Sequence, residues 1–380
     1  MNMRKVFKQM LATVAAGAMS MAMVMPVFAE DINTKQTEAW ISKTYNTEVA
    51  KAETFKFNVV QNIEGTGLIT TAANVTIPEI SFTGGETGTT TKRQRVGFPT
   101  YTEAGKYEYT VTENEAAQPA IPADSAHEKM IMSKAEYKMD VYVTNGDTGL
   151  QIANIIVNKT KDDKGIAATG KVDISDTDQN GFKFTNTYVQ EAGTGDKPSN
   201  PDEDYTKYGS LNVSKKIELN ENGGTASTTD EFSFKATFNF PAGTDANTLG
   251  GVKANGKAIT LTDGACDFTL TNGGSEKFTG LPVGTTMTVT ESATPNYKGS
   301  AAVVINGVTQ DTVTASKYDE AITVSDKKLG QKKNVVDVTN TYNNVPVTGI
   351  IMNNLPYIAM IVIGVAALVV YVQNKRKNLQ

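Results

Sequence analysis

Apolar and polar residues alternate with a period of two along most of the chain. The alternation is clearest at Tyr109–Asn114 and at Met287–Ser292, where β-branched Thr and Val fill many of the positions. Such a pattern is typical of half-buried β-strands. Between residues 31 and 344 there is almost no long stretch with helical periodicity. The chain is therefore predicted to be all-β, most simply as sandwiches of two sheets.

Both of these predicted strands contain a glutamate on their apolar face. Side chains alternate faces along a strand, so Glu113 shares a face with Tyr109 and Val111. Glu291 shares a face with Val289 in the same way. A single such acid is explained simply by a strand end that reaches solvent. Because the acid occurs twice, we expect both glutamates to have a partner inside a core.

The first 29 residues have the pattern of a secretory signal peptide. A short basic region precedes an uncharged stretch over residues 9–28, which ends in the small-residue cleavage pattern Val27–Ala29. A membrane anchor is the alternative, and the break at Pro26 argues against it. Residues 1–29 are therefore predicted to be removed on export.

The C-terminal end has three parts in a fixed order. The pentapeptide V-P-V-T-G at Val345–Gly349 is followed by a largely apolar run over Leu355–Val372 and by the basic residues Lys375–Lys377. The apolar run is just long enough to cross a bilayer, and the basic tail places its end in the cytoplasm. A tail-anchored protein shares the last two parts and does not need the pentapeptide.

The pentapeptide resembles the L-P-x-T-G sorting signal of Gram-positive surface proteins, with Val345 in place of Leu. The resemblance implies that a sortase cleaves between Thr348 and Gly349. The enzyme would then pass the threonyl carbonyl to an amine, either on the cell wall or on a neighbouring protein. Residues 345–380 are therefore predicted to be a sorting signal.

The net charge and the length of the segment between the two ends limit its possible binding partners and its number of domains. Residues 1–29 and 349–380 each contain three basic residues and no acidic ones, so their removal lowers the net charge from −5 to −11. Such an acidic ectodomain argues against binding to nucleic acid or anionic membranes.

Roughly 315 residues are more than a single hydrophobic core usually accommodates, which predicts two domains. A polar segment rich in Gly, Pro and Asp over residues 190–207 is the predicted linker between domains at 31–189 and 208–344.

Four short stretches occur in the same order in both halves, which indicates an internal duplication. They are a lysine-bearing strand, Phe-x-Phe, T-V-T-E and T-N-T-Y. In the first half they lie at Trp40–Tyr45, Phe55–Phe57, Thr110–Glu113 and Thr185–Tyr188, and in the second at Leu211–Ile217, Phe232–Phe234, Thr288–Glu291 and Thr339–Tyr342.

Three of the duplicated residues have side chains that could react with one another: a lysine, a glutamate and an asparagine. Burial disfavours the charged forms of lysine and glutamate, and a neutral amine held beside a carboxamide is a nucleophile beside an acyl carbon. A protonated acid there would hydrogen-bond the amide oxygen and shuttle a proton to departing ammonia. The predicted product is a Lys–Asn isopeptide bond between first and last strands, and the alternative is an ordinary salt bridge with an asparagine turn cap. The candidates are Lys43, Glu113 and Asn186 in the first half, and Lys215 (or Lys216), Glu291 and Asn340 in the second.

These motifs together resemble the backbone pilins of sortase-assembled Gram-positive pili. G-L-P-V-G at Gly280–Gly284, ahead of the second T-V-T-E, adds to the likeness. The resemblance implies tandem immunoglobulin-like or Cna-B-like sandwiches that carry self-generated isopeptide bonds. The chain departs from the pattern at Val345 and around Lys43, where basic residues are fewer, so Lys56 is the fallback donor. Lys56 in F-K-F is expected to point away from the phenylalanine face.

Polymerisation in this family also needs an accessible lysine near the end of the first domain. The cluster Lys159–Lys164 supplies it, with Lys164 preferred by position and Lys161 next. The implied partners are a sortase, identical subunits in a covalent homopolymer, minor pilins, cell-wall peptidoglycan and a host surface. The alternative is a wall-anchored monomeric adhesin of the same fold that does not polymerise.

An enzyme, a metal site and a cofactor site have little support. His127 is the only histidine and Cys266 the only cysteine, so neither a catalytic triad nor a zinc site is predicted, and Cys266 cannot close a disulfide ring. No Gly-rich phosphate loop follows a strand. The Asp-rich stretch Asp173–Gly181 resembles a calcium loop but lacks the closing glutamate, so it is interpreted as a turn.

Overall fold

The computed structural model describes residues 36–116, 118–121, 125–177, 181–219, 226–343 and 360. The predicted signal peptide lies outside these residues, as does the sorting signal apart from residue 360, so Thr348 and Gly349 are not among them. Within the described part of the chain, no helix combines the length and apolar character needed to span a bilayer.

Eleven strands in the described part of the first half form two main sheets and a small ribbon. The first sheet has the order β5-β1-β11-β7, the second has the order β10-β9-β8-β6-β3, and β2 pairs with β4. The strands are β1 (Trp40–Thr47), β2 (Glu53–Phe55), β3 (Phe57–Asn62), β4 (Ile80–Phe82), β5 (Gly88–Arg95), β6 (Gly105–Glu113), β7 (Glu128–Ile131), β8 (Glu136–Gly146), β9 (Gly149–Lys161), β10 (Ala167–Val172) and β11 (Phe182–Gln190).

The second half repeats the two-sheet plan with its own strand order. One sheet runs β15-β14-β17-β12-β23-β19-β20 with β21 added to β19, and the other runs β16-β13-β18-β22. The strands are β12 (Leu211–Leu219), β13 (Phe232–Asn239), β14 (Lys253–Ala254), β15 (Lys257–Ala258), β16 (Ala265–Leu270), β17 (Ser275–Thr279), β18 (Thr286–Glu291), β19 (Tyr297–Ile305), β20 (Val308–Thr309), β21 (Val313–Thr314), β22 (Ile322–Lys328) and β23 (Val335–Tyr342).

Burial alternates along the strands with the period of two that the sequence pattern predicts. Along β6 the side chains of Tyr107, Tyr109, Val111 and Glu113 are buried and the intervening residues are not. β18 alternates in the same way up to Glu291. The all-β fold class expected from the sequence is confirmed, and both glutamates lie on the core side of their strands.

The first and last strands of each half lie side by side and run parallel. β1 pairs with β11, and β12 pairs with β23. Parallel neighbours cannot be joined by a tight turn, so the rest of each half forms the crossover between them. This pairing brings residues from the two ends of each half into contact.

The segment predicted as a linker is partly packed between the two halves. Gln190 ends β11, and Glu191 to Thr194 are buried. Backbone hydrogen bonds join Ala192 N to Leu281 O and Val283 N to Gln190 O. A short helix, α1 (Glu203–Tyr208), follows and is capped by the Asp202 side chain.

Glu191 is the centre of the polar contacts at this junction. Its Oε1 accepts hydrogen bonds from Tyr205 Oη at 2.8 Å, Ser210 Oγ at 2.7 Å and Gly280 N at 2.5 Å, and its Oε2 contacts His127 Nδ1 at 2.6 Å. Burial alone would raise the pKa of Glu191. The hydrogen bonds outweigh burial and hold that pKa below the ordinary 4.5.

Replacing Glu191 with Ala is expected to lower the free energy of unfolding by about 1–3 kcal/mol, because buried donors lose their acceptor. Urea denaturation at neutral pH measures the change. Glu64→Ala, at an exposed position, is the control and should have little effect.

The stabilising contribution of Glu191 is present above pH 4.5 and is lost as the pH falls through its lower folded-state pKa. The stability difference between the wild type and Glu191→Ala should therefore shrink below pH 4.5. A difference that grows on acidification would contradict this account.

Candidate functional site

The strand register places a lysine and an asparagine on the same face in each half. Lys43 on β1 lies opposite Phe184 on β11, and Asn186 is two residues further along. Lys215 on β12 lies opposite Val338, and Asn340 on β23 is again two residues further along. Residues two apart on a strand share a face. The Lys–Asn offset is therefore identical in the two halves.

The acid comes from the facing sheet in both cases. Glu113 ends β6 and lies opposite Phe57 on β3, while Glu291 ends β18 and lies opposite Phe234 on β13. Packed sheets are about 10 Å apart. Long lysine and glutamate side chains extending from opposite sheets meet within this gap.

The first cluster is fully inside the core. Lys43 Nζ lies 2.6 Å from Glu113 Oε1, and Asn186 Nδ2 donates to the same oxygen at 3.0 Å. The exposed fractions of Lys43 and Asn186 are 0%, and that of Glu113 is 4%. Asn186 Oδ1 accepts a hydrogen bond from the backbone N–H of Ser133 at 2.6 Å.

The second cluster has the same three side chains with different contacts around the amide. Lys215 Nζ donates to Glu291 Oε2 at 3.1 Å, and Asn340 Nδ2 donates to Glu291 Oε1. All three side chains are buried. Within the part of the chain that the structure describes, Asn340 Oδ1 has no hydrogen-bond partner.

An aromatic ring covers each lysine. Lys43 Nζ lies 4.4 Å from the ring centroid of Phe55, and Lys215 Nζ lies 4.1 Å from that of Phe232. These rings come from the duplicated Phe-x-Phe motif, whose first member is buried in both halves. The motif therefore keeps water away from the two amines.

Burial moves the acid and the amine of each pair towards their neutral forms. It lowers the pKa of Lys43 and of Lys215 from 10.5 to about 8, even though the adjacent carboxylate acts to raise each value. It raises the pKa of Glu113 and Glu291 above 4.5, against the opposing effect of the lysine. Desolvation dominates in both clusters. A neutral amine beside a primary amide is arranged for acyl transfer.

One predicted contact differs in the structure. The sequence predicts that the protonated acid hydrogen-bonds the amide oxygen, whereas both carboxyl groups contact the amide nitrogen instead. This places the acid beside the group that would leave as ammonia. In the first half, the amide oxygen of Asn186 accepts its hydrogen bond from the backbone N–H of Ser133, a residue that the sequence pattern does not indicate.

The alternative lysines lie at the surface. The Lys56 side chain is 46% exposed and lies 3.7 Å from Glu79. The Lys216 side chain is 65% exposed and pairs with Glu218 at 2.5 Å. Of these four candidate lysines, Lys43 and Lys215 are the two that contact Glu113 and Glu291.

The two candidate polymerisation lysines lie at the β9–β10 turn. Lys161 Nζ contacts Glu136 Oε2 at 2.8 Å, with its side chain 48% exposed. Lys164 is exposed, and its backbone N–H donates to Asp162 Oδ1 at 2.9 Å. Among the described residues, the Lys164 ammonium has no ion-pair or hydrogen-bond partner.

His127, Asp173 and Cys266 have described contacts with residues outside the two clusters. His127 is part of the junction around Glu191. Asp173 accepts a hydrogen bond from Ser175 N at 2.9 Å, which is a turn contact. Cys266 is half-buried on β16, where burial raises the pKa of its thiol to about 11.

Two family models match the chain, one in each half. Residues 39–189 match the FctA family, described as the Spy0128-like isopeptide containing domain. Residues 209–342 match DUF7601, a domain of unknown function. No curated protein matches the chain. The match in the first half confirms the resemblance to isopeptide-containing pilin domains predicted from the sequence, and the Cna-B-like character of the second half stays a prediction.

Solved structures of pilus proteins are also similar to the chain. The major pilin from Streptococcus pyogenes is 18% identical, with 81% of this chain and 99% of that chain covered and a TM-score of 0.33. The T3.2 major pilin of the same species is 17% identical, with the same coverage and a TM-score of 0.29. The pilus-presented adhesin Spy0125 (Cpa) is 14% identical, with 54% of this chain and 35% of that chain covered and a TM-score of 0.25. At these values the solved structures do not inform the roles of individual residues.

In Asn186→Ala or Asn340→Ala, the nearby lysine keeps a free amine. The amine of Lys43 or Lys215 is expected to titrate near pH 8 rather than 10.5, because burial disfavours its charge. NMR of the lysine side chain measures the midpoint. The corresponding Lys43→Met or Lys215→Met change assigns the signal.

The sign of the accompanying stability change follows from the lowered pKa. Between pH 8 and 10.5 the unfolded lysine binds more protons than the folded one, so the stability of the asparagine variant should rise with pH in this window. A midpoint at or above 10.5 would show that the pair is buried as ions.

Proposed function

We propose that this protein is the structural subunit of a covalently polymerised cell-surface pilus, in which a Lys–Asn isopeptide bond closes each sandwich. The recurrence of one buried Lys–Glu–Asn cluster at one strand offset in both halves carries this proposal. A structural ion pair needs neither the asparagine nor the repetition. The match of residues 39–189 to an isopeptide-containing family supports it.

The chemistry in the first half begins with the neutral amine of Lys43. Its nitrogen attacks Cγ of Asn186, and the Cγ–Oδ1 double bond opens to an oxyanion. Glu113 accepts a proton from the attacking nitrogen and donates one to Nδ2, to which it is hydrogen-bonded at 3.0 Å. The Cγ–Nδ2 bond then breaks and ammonia leaves. One C–N bond has formed and one has broken, without an oxidant or a cofactor.

The second half would react in the same way through Lys215, Glu291 and Asn340. Each glutamate is regenerated, but each site acts once on its own chain. The protein is therefore proposed to be a self-modifying structural protein rather than an enzyme with turnover.

The placement of the bonds suits a fibre under tension. In each half the bond would join the first strand to the last, which are parallel neighbours. Force that enters at one end of a domain and leaves at the other would otherwise shear the hydrogen bonds between these strands. A covalent link across the pair takes this load before the sheet opens.

Polymerisation would join Thr348 of one subunit to a lysine of the next through a sortase that cleaves before Gly349. Lys164 is the preferred acceptor, because it is exposed on a turn and its ammonium is unpaired within the described structure. Lys161 is the second choice, since its ammonium pairs with Glu136. Minor pilins and cell-wall peptidoglycan are the further proposed partners.

Intact mass of residues 30–344, produced without sortase, tests the isopeptide chemistry. The expected mass lies two ammonia masses below the calculated value. Glu113→Gln and Glu291→Gln should each restore one ammonia mass, and the double variant should restore both, because the isosteric amide cannot shuttle the proton.

Glu218→Gln is the matched control, since Glu218 also contacts a lysine but does so at the surface. It should retain both losses. The full calculated mass in the wild type would overturn the isopeptide chemistry in both halves.

Lys164→Arg tests polymerisation in the organism that makes the protein. High-mass ladders on denaturing gels should disappear, because arginine keeps the charge but is not an acceptor for acyl transfer. Lys161→Arg should leave the ladders intact, and ladders lost only in Lys161→Arg would reverse the two assignments. A wild-type protein that is anchored but forms no ladders would identify the monomeric adhesin instead.

A further inference from the structure

The amide oxygens of the two asparagines have different environments. Asn186 Oδ1 accepts a hydrogen bond from Ser133 N at 2.6 Å. Asn340 Oδ1 is buried and has no hydrogen-bond partner among the described residues. In both clusters the glutamate contacts the amide nitrogen and does not donate a hydrogen bond to the amide oxygen. A donor to the reacting oxygen is therefore seen in the first half alone within the described structure.

Ser133 is held in place by a set of local hydrogen bonds. Its Oγ donates to Asp163 Oδ1 at 2.5 Å, and the same carboxylate oxygen accepts from Thr185 N at 2.9 Å. The neighbouring Lys134 N donates to Asp163 O at 3.0 Å. Thr185 immediately precedes Asn186, so Asp163 fixes the donor and the acceptor strand to each other. The N–H of Ser133 is thus aimed at Oδ1 before any reaction.

We propose that the main-chain N–H of Ser133 is the oxyanion donor for isopeptide formation in the first half, and that no described residue supplies an equivalent donor in the second half. This inference rests on the proposed function. Negative charge develops on Oδ1 when the Lys43 amine adds to Cγ, and a fixed donor stabilises that charge without reorganisation in a dry site. The double bond to Oδ1 re-forms when ammonia leaves, so the donor then holds the carbonyl oxygen of the product.

The expected size of the effect follows from comparable sites. Loss of one preorganised oxyanion donor typically slows a reaction by about 10²–10³-fold. The hydrogen bond here is short and the oxygen is fully buried with Asn186 at 0% exposure. We therefore expect a slowing in this range for the first bond and none for the second.

The direct test replaces the Ser133 residue with its α-hydroxy acid, which turns the N–H into an ester oxygen and keeps the side chain. Cell-free synthesis followed by acid quenching gives a time course, and peptide mapping by mass measures the Lys43–Asn186 and Lys215–Asn340 bonds separately. The first bond should form about 10²–10³-fold more slowly. The second bond in the same molecules reports on synthesis and folding.

Three further variants separate the N–H from other effects. An ester at Lys134 removes a nearby N–H that donates to Asp163 O rather than to the reacting amide, and should slow the first bond much less than the Ser133 ester does. Ser133→Ala keeps the N–H and loses the Oγ contact with Asp163 that helps to aim it, so it should be slowed much less than the Ser133 ester. Ser133→Pro lacks the N–H and should be slow, which provides a second variant if the ester disturbs folding.

A wild-type rate in the Ser133 ester or in Ser133→Pro would overturn the proposal while leaving the isopeptide bond itself in place. Equal slowing in Ser133→Ala would also overturn it, because the hydroxyl contact to Asp163 would then be responsible. Absence of both bonds in the unmodified protein would instead refute the proposed function.

Discussion

Burial of a lysine beside a glutamate, in a core made mostly of aliphatic and aromatic side chains, is the constraint on which both halves depend. Moving two charges out of water costs several kcal/mol per ion, and their attraction repays this only with complete hydrogen bonding. Glu113 Oε2 has no hydrogen-bond partner among the described residues, so compensation is incomplete. Apolar residues of similar volume would serve stability equally well. The pair is better accommodated as a neutral amine and a neutral acid, the forms that amide exchange requires.

The parallel pairing of first and last strands turns this local chemistry into a property of a whole domain. Without it, Asn186 would not lie beside the strand that carries Lys43, since the two residues come from opposite ends of the first half. A bond at this place closes nearly an entire half into a ring. A cross-link that closes a ring of more than 100 residues stabilises by up to about 5 kcal/mol in the chain-entropy model. Unlike a disulfide, an amide is not opened by reduction.

Much of this arrangement follows from periodicity and repetition. Alternation along Tyr109–Asn114 places Glu113 on the core side, and the structure agrees. The same parity distinguishes Lys215, which shares a face with Val213, from Lys216, although motif order alone allows either lysine. Ser133 could not be found in this way. Its role depends on a contact with β11, which is distant in sequence, and Asp163 holds that contact in place. Neither Ser133 nor Asp163 belongs to a repeated motif or to an alternating pattern.

The junction between the halves completes the load path that these bonds imply. Glu191 directly follows the last residue of β11, and its carboxylate accepts from Ser210, which directly precedes β12. Force leaving the closing strand of the first half therefore meets this buried hydrogen-bond centre before it reaches the opening strand of the second. The two sandwiches would be covalently closed, whereas the contacts between them are hydrogen bonds and packing. In a fibre of the proposed kind, we expect the junction to separate before either domain opens, because its hydrogen bonds and packing have no covalent link to support them.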